Sequence, residues 1–172
     1  MQLCDVHRLP VLSLCDTPGF MVGPEIEARA QVRHICRMFV VGAHVTVPYF
    51  TIVLRKGYGL GAMAMAAGSF HDSFFTVAWP TGEFGGMGLE GAVKHGFRNE
   101  LAAISDPAER EATYKFLVEQ AYAMGKGINM ASYMEIDAMI DPAETRRWIM
   151  RGLKSAQDKS DGPSGRSFVD PW

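Results

Sequence analysis

The feature that most restricts the fold is an apolar segment that runs directly into a glycine-rich turn. Residues 50–54 are apolar or β-branched, the pattern of a strand buried on both faces. The glycines of residues 57–62 follow, and the small side chains of residues 60–67 predict a helix that approaches its neighbours closely. A helix that begins at the end of a buried strand presents free backbone N–H groups and the positive end of its dipole at one spot. The segment predicts either a turn that stabilises an anion or glycines that only permit close helix packing.

Strands and helices alternate along the rest of the chain, which predicts a layered α/β domain. Further strands are predicted at residues 11–15 and 73–78, and helices at residues 2–7, 24–41, 88–97, 107–123 and 142–156. No repeat or linker divides residues 1–156, so we expect a single domain there. Residues 157–172 are rich in Ser, Asp, Gly and Pro, and this composition predicts a flexible tail.

Charge and cysteine content exclude several classes of protein. The 172 residues carry a formal net charge of −2, so no basic field favours nucleic acid or an anionic membrane. No apolar run approaches the ~20 residues that cross a bilayer, and no signal-peptide pattern is present, so we expect a cytoplasmic protein. The three cysteines lack CxxC spacing, which argues against disulfides and a zinc site. Cys15 and Cys36 are expected to be small buried residues.

Two patterns imitate nucleotide-binding motifs but lack the context that those motifs need. Residues 16–19 (DTPG) resemble the DxxG of GTP-binding proteins, yet the chain contains no GxxxxGK[ST] phosphate loop. Residues 86–91 match GxGxxG, although they do not directly follow a predicted strand. Residues 57–62 match GxGxxA, but Val77 stands where a dinucleotide site needs an acid. Dinucleotide binding is therefore not expected.

Side-chain acid–base chemistry has few candidates near the two glycine-rich segments. No histidine stands in a catalytic constellation, and Glu83 and Glu90 are the acids closest to the turns. Glu83 either acts on a substrate or positions its loop. Arg55 and Lys56 end the buried strand and either attract an anionic partner or are simply solvated.

Several sequence blocks together resemble the carboxyltransferase β-type subunits of biotin-dependent acetyl-CoA and propionyl-CoA carboxylases. The blocks are residues 16–20 (DTPGF), 55–62 (RKGYGLGA), 78–83 (AWPTGE), 87–88 with 91–93 (MG and GAV), and 141–146 (DPAETR). Their order and spacing agree with the family over roughly residues 3–156. The ordered set is far more specific than any single glycine pattern.

The resemblance implies a crotonase-like α/β fold, a spiral of ββα units, and a chain that corresponds to the C-terminal, biotin-facing half of a carboxyltransferase. It implies that the backbone N–H groups of Leu60 and Gly61 hold the urea oxygen of biotin as negative charge develops there. The other residues that it places at the substrate are Gly57, Tyr58, Gly59, Ala62, Met63, Glu83, Gly86, Met87 and Gly88.

The resemblance also implies partners. The cofactor is biotin on a separate carrier domain, with no metal in this chain. The partners are an N-terminal carboxyltransferase half that binds acyl-CoA, the biotin carboxyl carrier protein and biotin carboxylase, in a homo- or hetero-oligomer. The carboxyl group moves from carboxybiotin to the α-carbon of an acyl-CoA.

One position departs from the propionyl-type pattern. Met63 stands where those subunits carry Asp. In the family this position bears on the choice of acyl chain, so the resemblance implies a different or longer acyl group. Two other functions stay open on the sequence alone. The first is hydration or isomerisation of an enoyl-CoA, and the second is a truncated or non-catalytic subunit that only assembles.

Overall fold

The computed structural model describes residues 1–156 and Val169, so the predicted tail at 157–172 otherwise lies outside the described residues. Within them, five strands form one parallel sheet in the order β1-β2-β3-β5, and β4 pairs with β2. The strands are β1 Val11–Thr17, β2 Tyr49–Tyr58, β3 Phe75–Ala78, β4 Glu83–Gly85 and β5 Ala138–Met139. The helices are α1 Gln2–Val6, α2 Pro24–Glu27, α3 Gln31–His44, α4 Gly59–Met65, α5 Leu89–Gly96, α6 Arg98–Ala103, α7 Pro107–Met124, α8 Gly127–Ser132 and α9 Thr145–Ala156.

Strand β2 is the centre of the sheet, as its continuous apolar pattern predicts. Its first half pairs with β1 and β3, and its last three residues pair with β4. Both of its faces are buried, since alternate side chains of a strand point to opposite sides. Val53 packs with Cys15 and Phe84 on one face, and Phe50 and Ile52 pack with other apolar residues on the second face. Because the buried strand β2 ends at Tyr58, the glycine-rich turn that follows lies at the C-terminal edge of the sheet.

The prediction of one continuous helix at 24–41 is wrong. This segment is divided into α2 and α3, because Ala30 adopts a left-handed conformation with φ 58° that no regular helix accommodates. Most residues of α3 are exposed, and Gly42 is its buried residue. Cys15 is fully buried as predicted, whereas Cys36 on α3 is exposed, which corrects the prediction for that residue.

Four short elements are absent from the sequence-based prediction: β4, β5, α6 and α8. Strand β5 has two residues, and it is held by tertiary contacts rather than by its own pattern. The Asp137 carboxylate accepts a hydrogen bond from the Thr76 backbone N–H (2.7 Å), and the Ile140 N–H donates to the Ala78 carbonyl. Among residues 1–156, no helix is long and apolar enough to cross a membrane.

Candidate active site at the glycine-rich turn

The turn between β2 and α4 depends on the backbone of one glycine. Tyr58 is the extended N-cap residue of α4, and Gly59 follows with φ +56°. A Cβ atom on Gly59 would lie 2.7 Å from the carbonyl oxygen of Gly86. Since a left-handed φ and this close approach both disfavour a side chain, glycine is required at position 59 for the chain to pass from strand to helix.

The two predicted donors lie in the first turn of α4. Leu60 and Gly61 are its second and third residues, so no carbonyl within the helix is placed to accept from their N–H groups. The Leu60 side chain is 57% exposed, and the start of the helix is therefore open to the outside. Gly61 is buried, and a Cβ there would lie 2.9 Å from the Cα of Gly19. The two neighbouring N–H groups are thus left without an acceptor in the helix, beside the exposed residue Leu60.

The loop after β1 forms one wall of the turn. The pairing of β1 with β2 shifts register between Cys15 and Thr17. At this irregularity the Asp16 carboxylate accepts from the Lys56 backbone N–H (3.0 Å) and from the Arg55 guanidinium (3.1 Å). These contacts lower the pKa of Asp16, the backbone hydrogen bond being the largest cause. Asp16 thus connects the end of β1 to the last residues of β2.

Replacing Asp16 by asparagine is expected to lower the free energy of unfolding by about 0.5–1 kcal/mol at pH 7, a small value because Asp16 is exposed and screened by water. Its pKa is lower in the folded state, so its charge stabilises the fold above the unfolded pKa near 3.8 and stops doing so as the pH falls through the folded value. Urea denaturation at pH 7 and at pH 2.5 measures this. An equal difference between variant and wild type at both pH values would contradict the assignment.

Strand β4 places Glu83 beside the turn. It pairs with Lys56–Tyr58 of β2, and the Tyr58 hydroxyl donates to Glu83 Oε2 at 3.1 Å. Tyr58 is 2% exposed, and burial together with the hydrogen bond to Glu83 raises its pKa. The phenol is therefore a protonated donor at neutral pH. The Glu83 side chain thus contacts Tyr58, the residue that immediately precedes Gly59.

The remaining predicted site residues divide into exposed and buried positions. Gly86 and Met87 are exposed, and Gly88 is the N-cap residue of α5. Met63 is half-buried on α4, one turn after Gly59. Ala62 is fully buried in the core, and Gly57 lies against Val53 and Phe84, where a Cβ would be 3.2–3.3 Å from their side chains. Ala62 and Gly57 therefore pack on the core side of the turn.

Sequence reasoning missed Tyr122 on α7. Its hydroxyl donates to Glu90 Oε1 at 2.7 Å, and Glu90 stands in the first turn of α5. This hydrogen bond lowers the pKa of Glu90 and raises that of Tyr122. Glu83 and Glu90 are the two acids considered for an acid–base reaction, and each accepts a hydrogen bond from a phenol. Among the described residues, no group of three or more His, Cys, Asp and Glu side chains is placed to hold a metal ion.

The comparisons with known proteins agree on one family. The family model for the carboxyl transferase domain matches residues 1–166. The 12S subunit of methylmalonyl-CoA carboxyltransferase from Propionibacterium freudenreichii subsp. shermanii is 36% identical over 154 residues, which are 90% of this chain and 29% of that protein.

Two solved structures extend the likeness. A single-chain, multi-domain long-chain acyl-CoA carboxylase is 58% identical with a TM-score of 0.75, over 87% of this chain and 15% of that one. The transcarboxylase 12S hexamer core with methylmalonyl-CoA and methylmalonic acid bound has a TM-score of 0.82 at 32% identity, over 98% of this chain and 32% of that one. The crotonase-like α/β fold expected from the sequence is confirmed. The chain spans about 29–31% of the length of the curated relatives it matches.

Proposed function

Because the chain belongs to the carboxyl transferase domain family, we propose that it is the biotin-facing half of a carboxyltransferase. In this proposal the carboxyl group passes from carboxybiotin to the α-carbon of an acyl-CoA, and an acyl-CoA-binding partner domain completes the active site. The observation that carries the proposal is the start of α4, where a glycine in the left-handed conformation begins a helix and the N–H groups of Leu60 and Gly61 have no carbonyl partner within that helix.

The donor pair suits the oxygen of a biotin urea group. Neither Gly59 nor Gly61 has a side chain to obstruct an approaching oxygen, and Leu60 is exposed on the outer side of the turn. Bound biotin would supply the transferable carboxyl group. The N–H groups of Leu60 and Gly61 would hold its urea oxygen and stabilise the negative charge that grows there during transfer, as in other oxyanion holes. Backbone donors keep their protonation state at every physiological pH.

A partner is supported by the length of the relatives and by the surface beside the turn. The relatives are about three times longer than this chain and are named as carboxylase or carboxyltransferase subunits. Large apolar residues are exposed in the turn and in the sequence just after its neighbours Gly19 and Gly86, namely Leu60 (57%), Met21 (70%), Val22 (83%) and Met87 (46%). We propose that an N-terminal carboxyltransferase half covers them in a homo- or hetero-oligomer that also works with biotin carboxylase and the biotin carboxyl carrier protein in the cytoplasm.

The acyl group is proposed to be longer than propionyl. Met63 replaces the family's Asp by an apolar side chain, half-buried on α4 beside the donor turn. The solved structure that is 58% identical to this chain is a long-chain acyl-CoA carboxylase, which also favours a longer acyl group. An apolar residue at this position accepts a hydrocarbon chain without leaving a carboxylate desolvated.

A Met63→Asp variant is expected to reduce kcat/KM for a long-chain acyl-CoA about tenfold relative to propionyl-CoA, because each buried methylene is worth a several-fold preference. The ratio of the two kcat/KM values, measured by carboxyl transfer in the assembled enzyme, tests this. Met150→Asp, at a residue that is 50% exposed on α9, is the control and should leave the ratio unchanged. An unaltered ratio in Met63→Asp would remove this residue from substrate choice.

The proposed function is tested by mixing the chain with carboxybiotin and an acyl-CoA, with and without a candidate N-terminal half. Transfer is expected only when the half is present, and light scattering should show assembly. Transfer by the chain alone would contradict the half-site arrangement. Hydration of an enoyl-CoA without biotin would identify the alternative crotonase-type reaction, and assembly without any turnover would identify a non-catalytic subunit.

A further inference from the structure

Two phenol–carboxylate pairs lie next to the glycine-rich turn and come from four separate elements. Tyr58, at the end of β2, donates to Glu83 of β4 at 3.1 Å. Tyr122, near the end of α7, donates to Glu90 of α5 at 2.7 Å. We call these four side chains the tyrosine–glutamate network. Elements that are distant in the sequence are joined by it at one place.

The two pairs are close enough to act on one another. Burial and the hydrogen bond to Glu83 raise the pKa of Tyr58, and the charge of Glu90 adds to this. The hydrogen bond to Glu90 raises the pKa of Tyr122, and Tyr58 opposes this effect through hydrogen bonding. Both phenols therefore stay protonated at neutral pH, so each remains a donor to its carboxylate.

The surroundings of Glu90 favour its ionised form. The hydrogen bond from Tyr122 is the largest cause of the lowered pKa of Glu90, and the positive charges of Lys56 and Lys94 contribute to it. An ionised acceptor makes a stronger hydrogen bond than a neutral one. The hydrogen bond from Tyr122 to Glu90 is thus charge-assisted at neutral pH.

The network is connected to the donor turn on both of its sides. Tyr58 immediately precedes Gly59, whose φ of +56° begins the turn. Glu90 lies just after the segment that contains Gly86, and the Gly86 carbonyl oxygen lies against Gly59. A displacement of either pair would therefore move one of the two segments that meet at Gly59.

We propose that Tyr122 and Glu90, together with Tyr58 and Glu83, are positioning residues that hold the turn bearing the Leu60 and Gly61 donors, a role that rests on the proposed function of those donors. A backbone N–H group has no side-chain rotamer, so its direction is set entirely by the conformation and position of the backbone. Sites of this kind need their groups held to within about 0.5 Å. The network supplies this restraint from β4, α5 and α7, and none of its members needs to touch the substrate.

A Tyr122→Phe variant removes one hydroxyl and keeps the ring. In the chain assembled with its acyl-CoA-binding half, we expect kcat to fall about tenfold with KM for the acyl-CoA unchanged. Amide hydrogen exchange across residues 57–67, measured by mass spectrometry on the chain itself, should become about fivefold faster. Tyr133→Phe, at the 64% exposed C-cap residue of α8, is the matched control and should change neither quantity.

Two substitutions at Glu90 separate a positioning role from general destabilisation. Glu90→Ala should reproduce Tyr122→Phe, and Glu90→Gln, which keeps an acceptor oxygen, should recover most of kcat. The proposal is overturned if Tyr122→Phe lowers only the melting temperature, or if residues 57–67 exchange at the wild-type rate. If the assembled wild type transfers no carboxyl group, the proposed function fails, and the exchange rates of residues 57–67 still decide whether the network holds the turn.

Discussion

A Gly59→Val variant is expected to lose carboxyl transfer by about a hundredfold or more and to unfold with about 3 kcal/mol less free energy than the wild type. Gly59 has φ +56°, a conformation that a β-branched residue adopts only under strain. Its new Cβ would also stand 2.7 Å from the Gly86 carbonyl oxygen. Relief of both problems requires the turn to open, and the Leu60 and Gly61 N–H groups then no longer point to one place.

Gly96→Ala is the control for this substitution. Gly96 ends α5, and a Cβ there meets nothing within 4 Å, so alanine should leave stability within about 0.5 kcal/mol of the wild type. The midpoint of urea denaturation and the rate of transfer in the assembled enzyme are the two measurements. If Gly59→Val retained both, the left-handed turn would not be necessary and the proposed donor site would lose its structural basis.

The second large effect is expected at the core. Phe50→Ala should lower the free energy of unfolding by about 3–5 kcal/mol, the usual cost of deleting a buried aromatic ring and leaving a cavity. Phe50 is 1% exposed and its ring centre lies 4.8 Å from that of Phe75. Gly152 of α9 packs on the same ring, where a Cβ would be 2.7 Å from it. Because Phe75 and Gly152 already pack closely here, we expect them to fill little of the cavity that the Phe50 ring would leave.

This loss is a large part of the free energy of unfolding of an ordinary domain, which is ~5–15 kcal/mol. Because β2 runs without interruption from Phe50 to the turn at Gly59, a loosened core should also weaken the active site. Chemical denaturation followed by tryptophan fluorescence measures the effect. Phe116→Ala, at a ring that is 58% exposed on α7, should change stability by less than about 0.5 kcal/mol. Similar losses in both variants would show that burial is not the cause.

The sequence pattern predicted those elements whose signal is local and long enough to read. Residues 50–54 were recognised as a doubly buried strand because an unbroken apolar run has no polar face. Helix α7 was predicted at 107–123 and spans Pro107–Met124, with Asp106 as its N-cap. Strands β4 and β5 have three and two residues, too few for any alternation to be visible. They exist because β2 and β3 offer them edges to pair with.

Local pattern was also insufficient where a single backbone angle decided the outcome. Residues 24–41 carry no glycine or proline after Pro24 to announce an interruption, and yet Ala30 divides the helix with φ 58°. Cys36 was expected to be buried because its residue type usually is, but it faces outward on α3. Neither result follows from the neighbours of these residues in the sequence.

The sequence by itself determined the strand, the glycine turn and the helix from β2 to α4, since each is specified by residues within a few positions of one another. It thereby predicted where Leu60 and Gly61 lie, and their assignment as donors remains a proposal. The tertiary structure alone decided what surrounds the turn. Tyr58 meets Glu83 across a β-pairing, and Tyr122 on α7 meets Glu90 on α5. Such contacts join residues far apart in the chain, so packing and not any local periodicity brings them together.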